Sequence, residues 1–386
     1  MDSQYLKENI QVYSLNIALS KKHYLLKLIL GLLLNWFLTS CSSSPTEPED
    51  STLDLNTPWV EASPEDAGIN PEGLSKAIEK AEANPRFLSL LVVRDGKLVQ
   101  ESYFNGNRRD ILNDVRSVTK SVVSTLVGIA LKEGFIGNLD ETVGDYLPAH
   151  FEISNAMINT ITIRDLLTMT GGFQWDEWTS NSYSTWITSG DHVQHVLNLL
   201  LVTSPGNSFT YNSGAVHLLG VLLQEAVKMP LPDFADQYLF NKIGIQSKDW
   251  EDLSGGYVNG GSGIDLMPRD LARLGQLYLQ NGKSGDQQIL PEDWVAQATS
   301  PKFSWRFNYG ALQNYTYGYL WWVVEGPETA YLAWGFGGQF IYVVPSKALV
   351  VVATTNWRGV SQDGGPQALE QAGLDIIIND VVTAVQ

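Results

Sequence analysis

Cysteine and positive charge are both scarce in this chain of 386 residues. Cys41 is the only cysteine, which excludes an intrachain disulfide framework and the thiolate clusters of structural zinc and iron–sulfur sites. Lys and Arg total 25 against 42 Asp and Glu, and the formal charge of −17 has the wrong sign for a protein that neutralises nucleic-acid phosphates. Charged residues make up only 17% of the chain and hydrophobic residues 44%, which excludes a disordered protein. The composition therefore predicts a folded globular protein that does not bind nucleic acid.

Long apolar runs are also missing, and the strongest short one lies near the N-terminus. Lys21 and Lys22 precede a run over residues 24–34, which is shorter than the roughly 20 apolar residues of a membrane-spanning helix. A basic flank, a short apolar stretch and small residues are typical of a secretory signal. The sequence Leu-Thr-Ser-Cys that ends at Cys41 resembles the bacterial lipobox, whose cysteine is acylated and becomes the mature N-terminus. We expect residues 1–40 to be a lipoprotein signal peptide and Cys41 to be the lipidation site; a plain signal peptide and an uncleaved anchor are the alternatives.

This leader also predicts a location. Residues 41–56 are rich in Ser, Pro, Glu and Asp and predict a flexible tether, so the folded domain is expected over residues 57–386. Through acylated Cys41 the chain would bind the lipid bilayer as a membrane-anchored lipoprotein. We expect it in the bacterial cell envelope, facing the periplasm or the exterior.

Hydrophobic patterning gives the domain strand-rich ends and a helical middle. Asp95-Gly96 separates two β-rich runs and predicts a tight hairpin turn. The pattern predicts an α+β fold, an antiparallel sheet flanked by helices, with an α/β part at about 57–116 and 260–386 and a helical insertion at about 117–259. Strands are predicted at 87–93, 97–104, 317–324, 331–334, 339–344 and 348–354, and helices at 118–133, 162–169, 192–201, 215–227, 268–280 and 366–385.

The chemistry of the sequence centres on Ser117-Val118-Thr119-Lys120, at the start of a predicted helix. Residues three apart on a helix lie on one face with Cβ atoms about 5–6 Å apart, so the Ser117 hydroxyl and the Lys120 amine can meet. The Ser117 amide belongs to the unpaired first turn and could bind a developing oxyanion. Ser-x-x-Lys also arises by chance, and Ser117 could be an ordinary helix cap.

With further motifs in the same order, the chain resembles the serine β-lactamase and penicillin-binding-protein-like hydrolases, and most of all the class C-like esterase and 6-aminohexanoate-dimer hydrolase branch. In that branch Ser-x-x-Lys is paired with Tyr-x-Asn, and Tyr211-Asn212-Ser213 is the matching segment. The resemblance implies that Tyr211 shares proton transfer with Lys120. Ser213 occupies the slot where the family normally has Asn, and a hydroxyl cannot offer the two donors of an amide.

The third family motif, a Lys-Thr-Gly-like strand, is matched by Gly335-Phe336-Gly337 before a predicted strand. The resemblance implies that the amides of Ser117 and Gly338 form the oxyanion hole. No cation stands at Gly335, and since that lysine helps to hold the substrate carboxylate in β-lactam-active members, its absence argues against efficient β-lactam turnover. Glycines that only permit close strand packing are the alternative.

Candidate substrate-binding residues follow from the same resemblance. Asn212, Ser213 and Gly335 belong to the second and third motifs, and Trp175 and Tyr183 lie in an aromatic stretch that borders the substrate cleft in the similar amide hydrolases. There the aromatic side chains would form an apolar wall, while the acids Asp176 and Glu177 could meet a cationic end of the substrate. Core packing is the alternative for the aromatic residues.

The resemblance implies a serine hydrolase that acts through an acyl-enzyme on small esters, amides or peptides, in the manner of an esterase, an amidase, a β-lactamase or a D,D-peptidase. This chemistry needs no metal and no cofactor. A penicillin-recognising or peptidoglycan-binding module with little turnover is the main alternative, and a purely structural lipoprotein is another. A Ser-His-Asp hydrolase is not supported because the sequence has no Gly-x-Ser-x-Gly.

Overall fold

The computed structural model describes residues 52–153, 155–179, 181–360 and 364–386. The expected signal peptide, Cys41 and most of the expected tether lie outside the described residues. Residues 52–386 pack as one unit. Within the described ranges, no helix combines the length and the hydropathy that crossing a membrane requires.

An eight-stranded antiparallel sheet forms the framework, in the order β2-β1-β13-β12-β11-β10-β9-β8. Strands from both ends of the domain therefore meet, because β1 pairs with β13 through partners such as Val92 and Val351. The strands are β1 Phe87–Arg94, β2 Lys97–Tyr103, β3 Asn113–Asp114, β4 Lys248–Trp250, β5 Ile264–Leu266, β6 Lys283–Ser284, β7 Gln287–Gln288, β8 Phe307–Tyr309, β9 Leu312–Tyr317, β10 Trp322–Val324, β11 Ala330–Gly335, β12 Gln339–Val344 and β13 Leu349–Thr355.

Most helices come between β2 and β8 in sequence. They are α1 Pro71–Ala83, α2 Val118–Lys132, α3 Val143–Tyr146, α4 Ile163–Leu167, α5 Ser182–Ile187, α6 His192–Leu197, α7 Ser213–Val227, α8 Leu231–Tyr238, α9 Pro268–Leu279, α10 Glu292–Ala298 and α11 Gly365–Asp375, and a π-helical segment, Ile376–Val382, continues α11. This arrangement of helices around an antiparallel sheet confirms the α+β prediction. The boundaries proposed for the helical insertion stay a prediction.

The sheet has apolar side chains on both faces, and each face is covered by helices. Along β13, Val350 and Val352 belong to the core that includes α2, α7 and α9, while Val351 and Ala353 belong to the core with α1 and the C-terminal helical segment. This alternation is the period-two pattern of a strand buried on both sides. Helix α2 lies deep in the first core, since residues 118–130 are all buried.

The predicted hairpin is present, with Asp95 and Gly96 at φ 49° and 71° in the turn between β1 and β2. The single strand expected over 317–324 is wrong, because the chain turns there and forms β9 and β10. Two features cause the turn. Leu320 has a φ of 58°, and a Cβ at Gly318 would lie 2.1 Å from the carbonyl oxygen of Ala298.

Helix α9 approaches the sheet closely at Gly275. A Cβ there would lie 2.5 Å from Val350 Cγ1 and 2.7 Å from Ile341 Cγ2, which are side chains of central strands. We expect Gly275→Ala to reduce the free energy of unfolding by about 1–3 kcal/mol through overpacking, measured by urea denaturation. The matched control is Gly190→Ala, which meets no atom within 4 Å; equal stability losses in the two variants would contradict the packing argument.

Candidate active site

Ser117 and Lys120 meet at the start of α2. The Lys120 Nζ donates a hydrogen bond of 2.9 Å to the Ser117 Oγ. Ser117 occupies the cap position of the helix but makes no side-chain capping bond. Its hydroxyl therefore faces the lysine rather than the helix backbone. Its amide has no hydrogen-bond partner within the part of the chain that the structure describes.

Lys120 is almost completely buried, with 1% of its surface exposed. Its other two hydrogen bonds go to the Ser213 Oγ at 2.9 Å and to the carbonyl oxygen of Gly261 at 2.6 Å. Burial lowers the pKa of Lys120 to about 7; the carboxylate of Glu177 acts against this shift and Arg116 adds to it. A substantial fraction of this amine is therefore uncharged near neutral pH.

Tyr211 completes a group of three side chains. The Lys120 Nζ lies 4.8 Å from the centroid of the Tyr211 ring, and Ser117 lies close enough to Tyr211 to lower the pKa of its phenol in part against the effect of burial. The ring lies between Trp178 and Trp322, with centroid distances of 5.6 and 5.8 Å and interplanar angles of 26° and 14°. Burial raises the pKa of Tyr211 well above its ordinary value, so the phenol keeps its proton at neutral pH.

Glu177 supports this group from the loop before α5. One carboxylate oxygen accepts a 2.5 Å bond from the Ser213 hydroxyl, and the other accepts bonds from the Ser213 amide at 3.1 Å and from the Trp175 Nε1 at 2.6 Å. A continuous chain of hydrogen bonds therefore runs from Glu177 through Ser213 to Lys120. From the sequence, Glu177 is predicted only as an acid that meets a cationic end of the substrate, because nothing in the sequence pairs a loop carboxylate with Ser213.

The second motif lies at the start of α7, and its residues have separate tasks. Ser213 contacts Lys120 and Glu177, as described above. Asn212 is 2% exposed, and its side-chain oxygen accepts a 2.9 Å bond from the Ala215 amide, which caps the helix. The structure thus brings Ser213 into contact with Lys120 and gives Asn212 a capping contact, and the substrate-binding roles of both residues stay predictions.

The third motif lies at the end of β11, next to the segment that precedes Ser117. A Cβ at Gly335 would lie 2.2 Å from the carbonyl oxygen of Val115, so only glycine permits this approach. In the turn that follows, the Gly337 amide donates to Glu370 at 2.9 Å and the Gly338 amide to the Gly335 carbonyl at 3.2 Å. An oxyanion at Gly338 would have to share or replace that bond, and the role of Gly338 stays a prediction.

Trp175 and Tyr183, the aromatic residues predicted to bind substrate, both contact residues around the Ser117–Lys120 pair, and their substrate-binding role stays a prediction. Trp175 is 7% exposed in the core, packs against Trp186 and holds Glu177 through its indole N–H. The Tyr183 hydroxyl accepts a 2.9 Å bond from Arg116 and lies 2.9 Å from the Ser262 Oγ. Neither side chain lines the large cleft beside Tyr211. Trp175 is packed in the core, which was the alternative to substrate binding considered from the sequence.

That cleft has a volume of about 500 Å³, and nine of its eleven lining residues are aromatic. Tyr211 forms part of its wall together with Trp178, Phe209 and Trp322. A group bound beside Tyr211 would therefore adjoin a large apolar space. Among the described residues, no three His, Cys, Asp or Glu side chains are placed to hold a metal ion.

The electrostatic effect of Glu177 on Lys120 can be measured directly. The carboxylate stabilises the charged amine, so Glu177→Gln should lower the pKa of Lys120 further below about 7. An NMR titration of the lysine side-chain signals, assigned with Lys120→Ala, would report this pKa.

The control for the change in net charge is Glu65→Gln, at an exposed surface position. This variant should leave the pKa of Lys120 unchanged. If the pKa of Lys120 rises in Glu177→Gln, or shifts equally in both variants, the proposed electrostatic effect of Glu177 on Lys120 is contradicted.

Comparisons with known proteins identify the family of this chain. The family model described as Beta-lactamase matches residues 86–374. The 6-aminohexanoate-dimer hydrolase of Paenarthrobacter ureafaciens is 23% identical over 294 residues, covering 70% of this chain and 72% of the relative.

Two solved structures share the fold. EstCE1, a hydrolase with promiscuous acyltransferase activity, has a TM-score of 0.64 at 17% identity, covering 80% of this chain and 99% of that one. A class C beta-lactamase from Rhodobacter sphaeroides has a TM-score of 0.56 at 18% identity, with the same two coverages. The match to the family model spans most of the folded part of the chain. The chain therefore belongs to the Beta-lactamase family and is a serine hydrolase.

Proposed function

We propose that the protein hydrolyses esters or amides through an acyl-enzyme formed on Ser117, with Lys120 as the general base and Tyr211 as the proton relay. The observation that carries this proposal is the 2.9 Å contact between the Ser117 hydroxyl and the amine of buried Lys120. In the first step the Ser117 Oγ attacks the substrate carbonyl carbon and its proton passes to the Lys120 Nζ. In the second step water attacks the acyl carbonyl carbon and loses a proton to the Lys120 Nζ, the bond between that carbon and the Ser117 Oγ breaks, and the serine oxygen takes the proton back as the acid is released.

The two pKa shifts favour Lys120 over Tyr211 as the first base. An amine with a pKa of about 7 is neutral in a large fraction of molecules at neutral pH, whereas the raised pKa of Tyr211 leaves almost no phenolate. Tyr211 lies beside Lys120, with the amine 4.8 Å from its ring centroid, and Ser117 acts on the pKa of its phenol, so we assign to it the transfer of the proton from the lysine to the leaving group. The leaving alcohol or amine then departs neutral.

The negative charge of the tetrahedral intermediate needs donors near Ser117. The Ser117 amide, at the start of α2, has no partner among the described residues and is available for this role. The helix also directs the positive end of its dipole to this point. These features support stabilisation of the oxyanion by the helix start.

Two features favour esters and simple amides over β-lactams. The slot of the Lys-Thr-Gly lysine holds Gly335, whose contact with Val115 leaves no space for a side chain. A relative is named as a hydrolase of a linear amide, 6-aminohexanoate dimer. We therefore propose carboxylic esters and linear amides as the substrate classes.

Replacement of Lys120 tests the mechanism. Lys120→Ala should lower kcat/KM for p-nitrophenyl esters by roughly 10²–10⁴-fold, because the general base is lost. In the wild-type enzyme kcat/KM should fall as the pH drops through about 7, since protonation removes the neutral amine.

The matched control is Lys132→Ala, at the other end of the same helix, where activity should be unchanged. A fluorophosphonate probe should label Ser117 and fail to label Ser117→Ala. Near-normal turnover by Lys120→Ala would contradict the role of the lysine, and a burst of labelling without steady turnover would favour a substrate-recognising module.

We further propose that the enzyme is a lipoprotein of the bacterial cell envelope, anchored through acylated Cys41. The support is the lipobox-like Leu-Thr-Ser-Cys after a basic and apolar leader, with the only cysteine of the chain at the position that is modified. The Ser-, Pro- and acid-rich residues that follow would separate the domain from the lipid.

The anchor is tested by expressing the full chain in a bacterium supplied with a labelled fatty acid. The wild-type protein should incorporate label and fractionate with membranes, and Cys41→Ser should lose both properties. Ser42→Ala controls for a change at the neighbouring position. Membrane fractionation without label, in both the wild type and Cys41→Ser, would favour an uncleaved anchor.

A further inference from the structure

The cleft beside Tyr211 has an unusual lining. Nine of its eleven lining residues are aromatic, and its volume of about 500 Å³ lies in the range of small-molecule sites. Tyr211, Trp322 and Trp334 come from different parts of the chain, so the cleft joins the second motif to the strands that lead to the third. Ring contacts such as Trp322 with Trp334, at 5.7 Å between centroids, fix the shape of the wall.

Two aromatic side chains of the lining remain largely in water. Trp178 is 62% exposed and Phe307 is 50% exposed, although both are large apolar groups. Trp178 also stacks on Tyr211, the proposed proton relay. A ring that enters the cleft would cover this exposed apolar surface and gain stacking contacts next to the reacting carbonyl.

The lining of the cleft carries little charge. None of its eleven lining residues is a Lys or Arg, and its one acid, Glu370, already accepts hydrogen bonds from the Gly337 amide at 2.9 Å and the Tyr309 hydroxyl at 3.1 Å. Arg116, the residue before Ser117, donates to Tyr183 and lies 4.6 Å from the Trp357 ring centroid. Arg116 is not one of the lining residues, so a charged substituent inside the cleft would lose its hydration and meet no cation and only one carboxylate, which already accepts two hydrogen bonds.

From this lining we propose that the cleft is the specificity site of the enzyme and binds an uncharged aromatic group of the substrate. Within the proposed function, the substrates are accordingly neutral aryl or arylalkyl esters and amides rather than molecules with a free carboxylate. The proposal rests on the proposed function for its catalytic meaning, but the binding preference of the cleft can be tested without turnover.

The experiment measures ligand binding to Ser117→Ala by isothermal titration calorimetry. Four probes separate charge from aromatic character: 4-phenylbutyramide is neutral, 4-phenylbutyrate is anionic, 4-phenylbutylamine is cationic, and hexanamide is neutral without a ring. We expect 4-phenylbutyramide to bind most tightly. Adding Trp178→Ala to Ser117→Ala should weaken its binding roughly two- to tenfold through the lost stacking contact.

The control variant adds Leu200→Ala instead, which removes an exposed apolar side chain outside the cleft lining and should leave the Kd unchanged. Circular dichroism of each variant verifies folding. Equal or tighter binding of the anion, the cation or hexanamide would overturn the proposal, as would an unchanged Kd in the Trp178 variant. Tight binding of 4-phenylbutyramide to Ser117→Ala, combined with a wild-type enzyme that hydrolyses no ester or amide, would refute the proposed function and leave the cleft assignment intact.

Discussion

The burial of one lysine amine organises the centre of this molecule. With 1% of its surface exposed, Lys120 in its charged form needs an acceptor for each of its three donors, and the three acceptors come from three separate segments. Ser117 lies in the same helix, Ser213 begins α7, and Gly261 lies in the loop before β5. An unpaired amine in this position would be costly, so the packing of these segments and the chemistry of the site depend on the same contacts.

Glu177 shifts the pKa of Lys120 rather than neutralising its charge in an ion pair. It reaches Lys120 through the Ser213 hydroxyl, so the carboxylate raises the pKa of the amine without forming a direct ion pair. The pKa of Lys120 still falls to about 7 because burial outweighs the carboxylate. The Ser213 oxygen accepts from Lys120, and its single hydroxyl proton is donated to Glu177. Ser213, which replaces the family's Asn, thus has a hydrogen-bond partner in the loop, Glu177.

Local patterns predicted the parts of the structure that depend on neighbouring residues. The Asp95-Gly96 turn, the bounds of α2 and the meeting of Ser117 with Lys120 all follow from spacing within a few positions. Tyr211 was placed only through the family resemblance, since 91 positions separate it from Lys120. Glu177 and the buried position of Trp175 depend on how a loop packs on α7, which periodicity does not report. The break between β9 and β10 was missed because its apolar residues continue through a turn set by a tertiary contact of Gly318.

The contact between Gly335 and Val115 limits how the active site of this chain can change. Any side chain at position 335 would collide with the backbone that leads into the nucleophile. A single substitution therefore cannot restore a lysine there without displacing Ser117, and an enzyme that gained recognition of a carboxylate would need its cation on another element. Substrate recognition can change more easily through the aromatic wall of the cleft, because side chains there can be exchanged while Ser117, Lys120 and Tyr211 keep their positions.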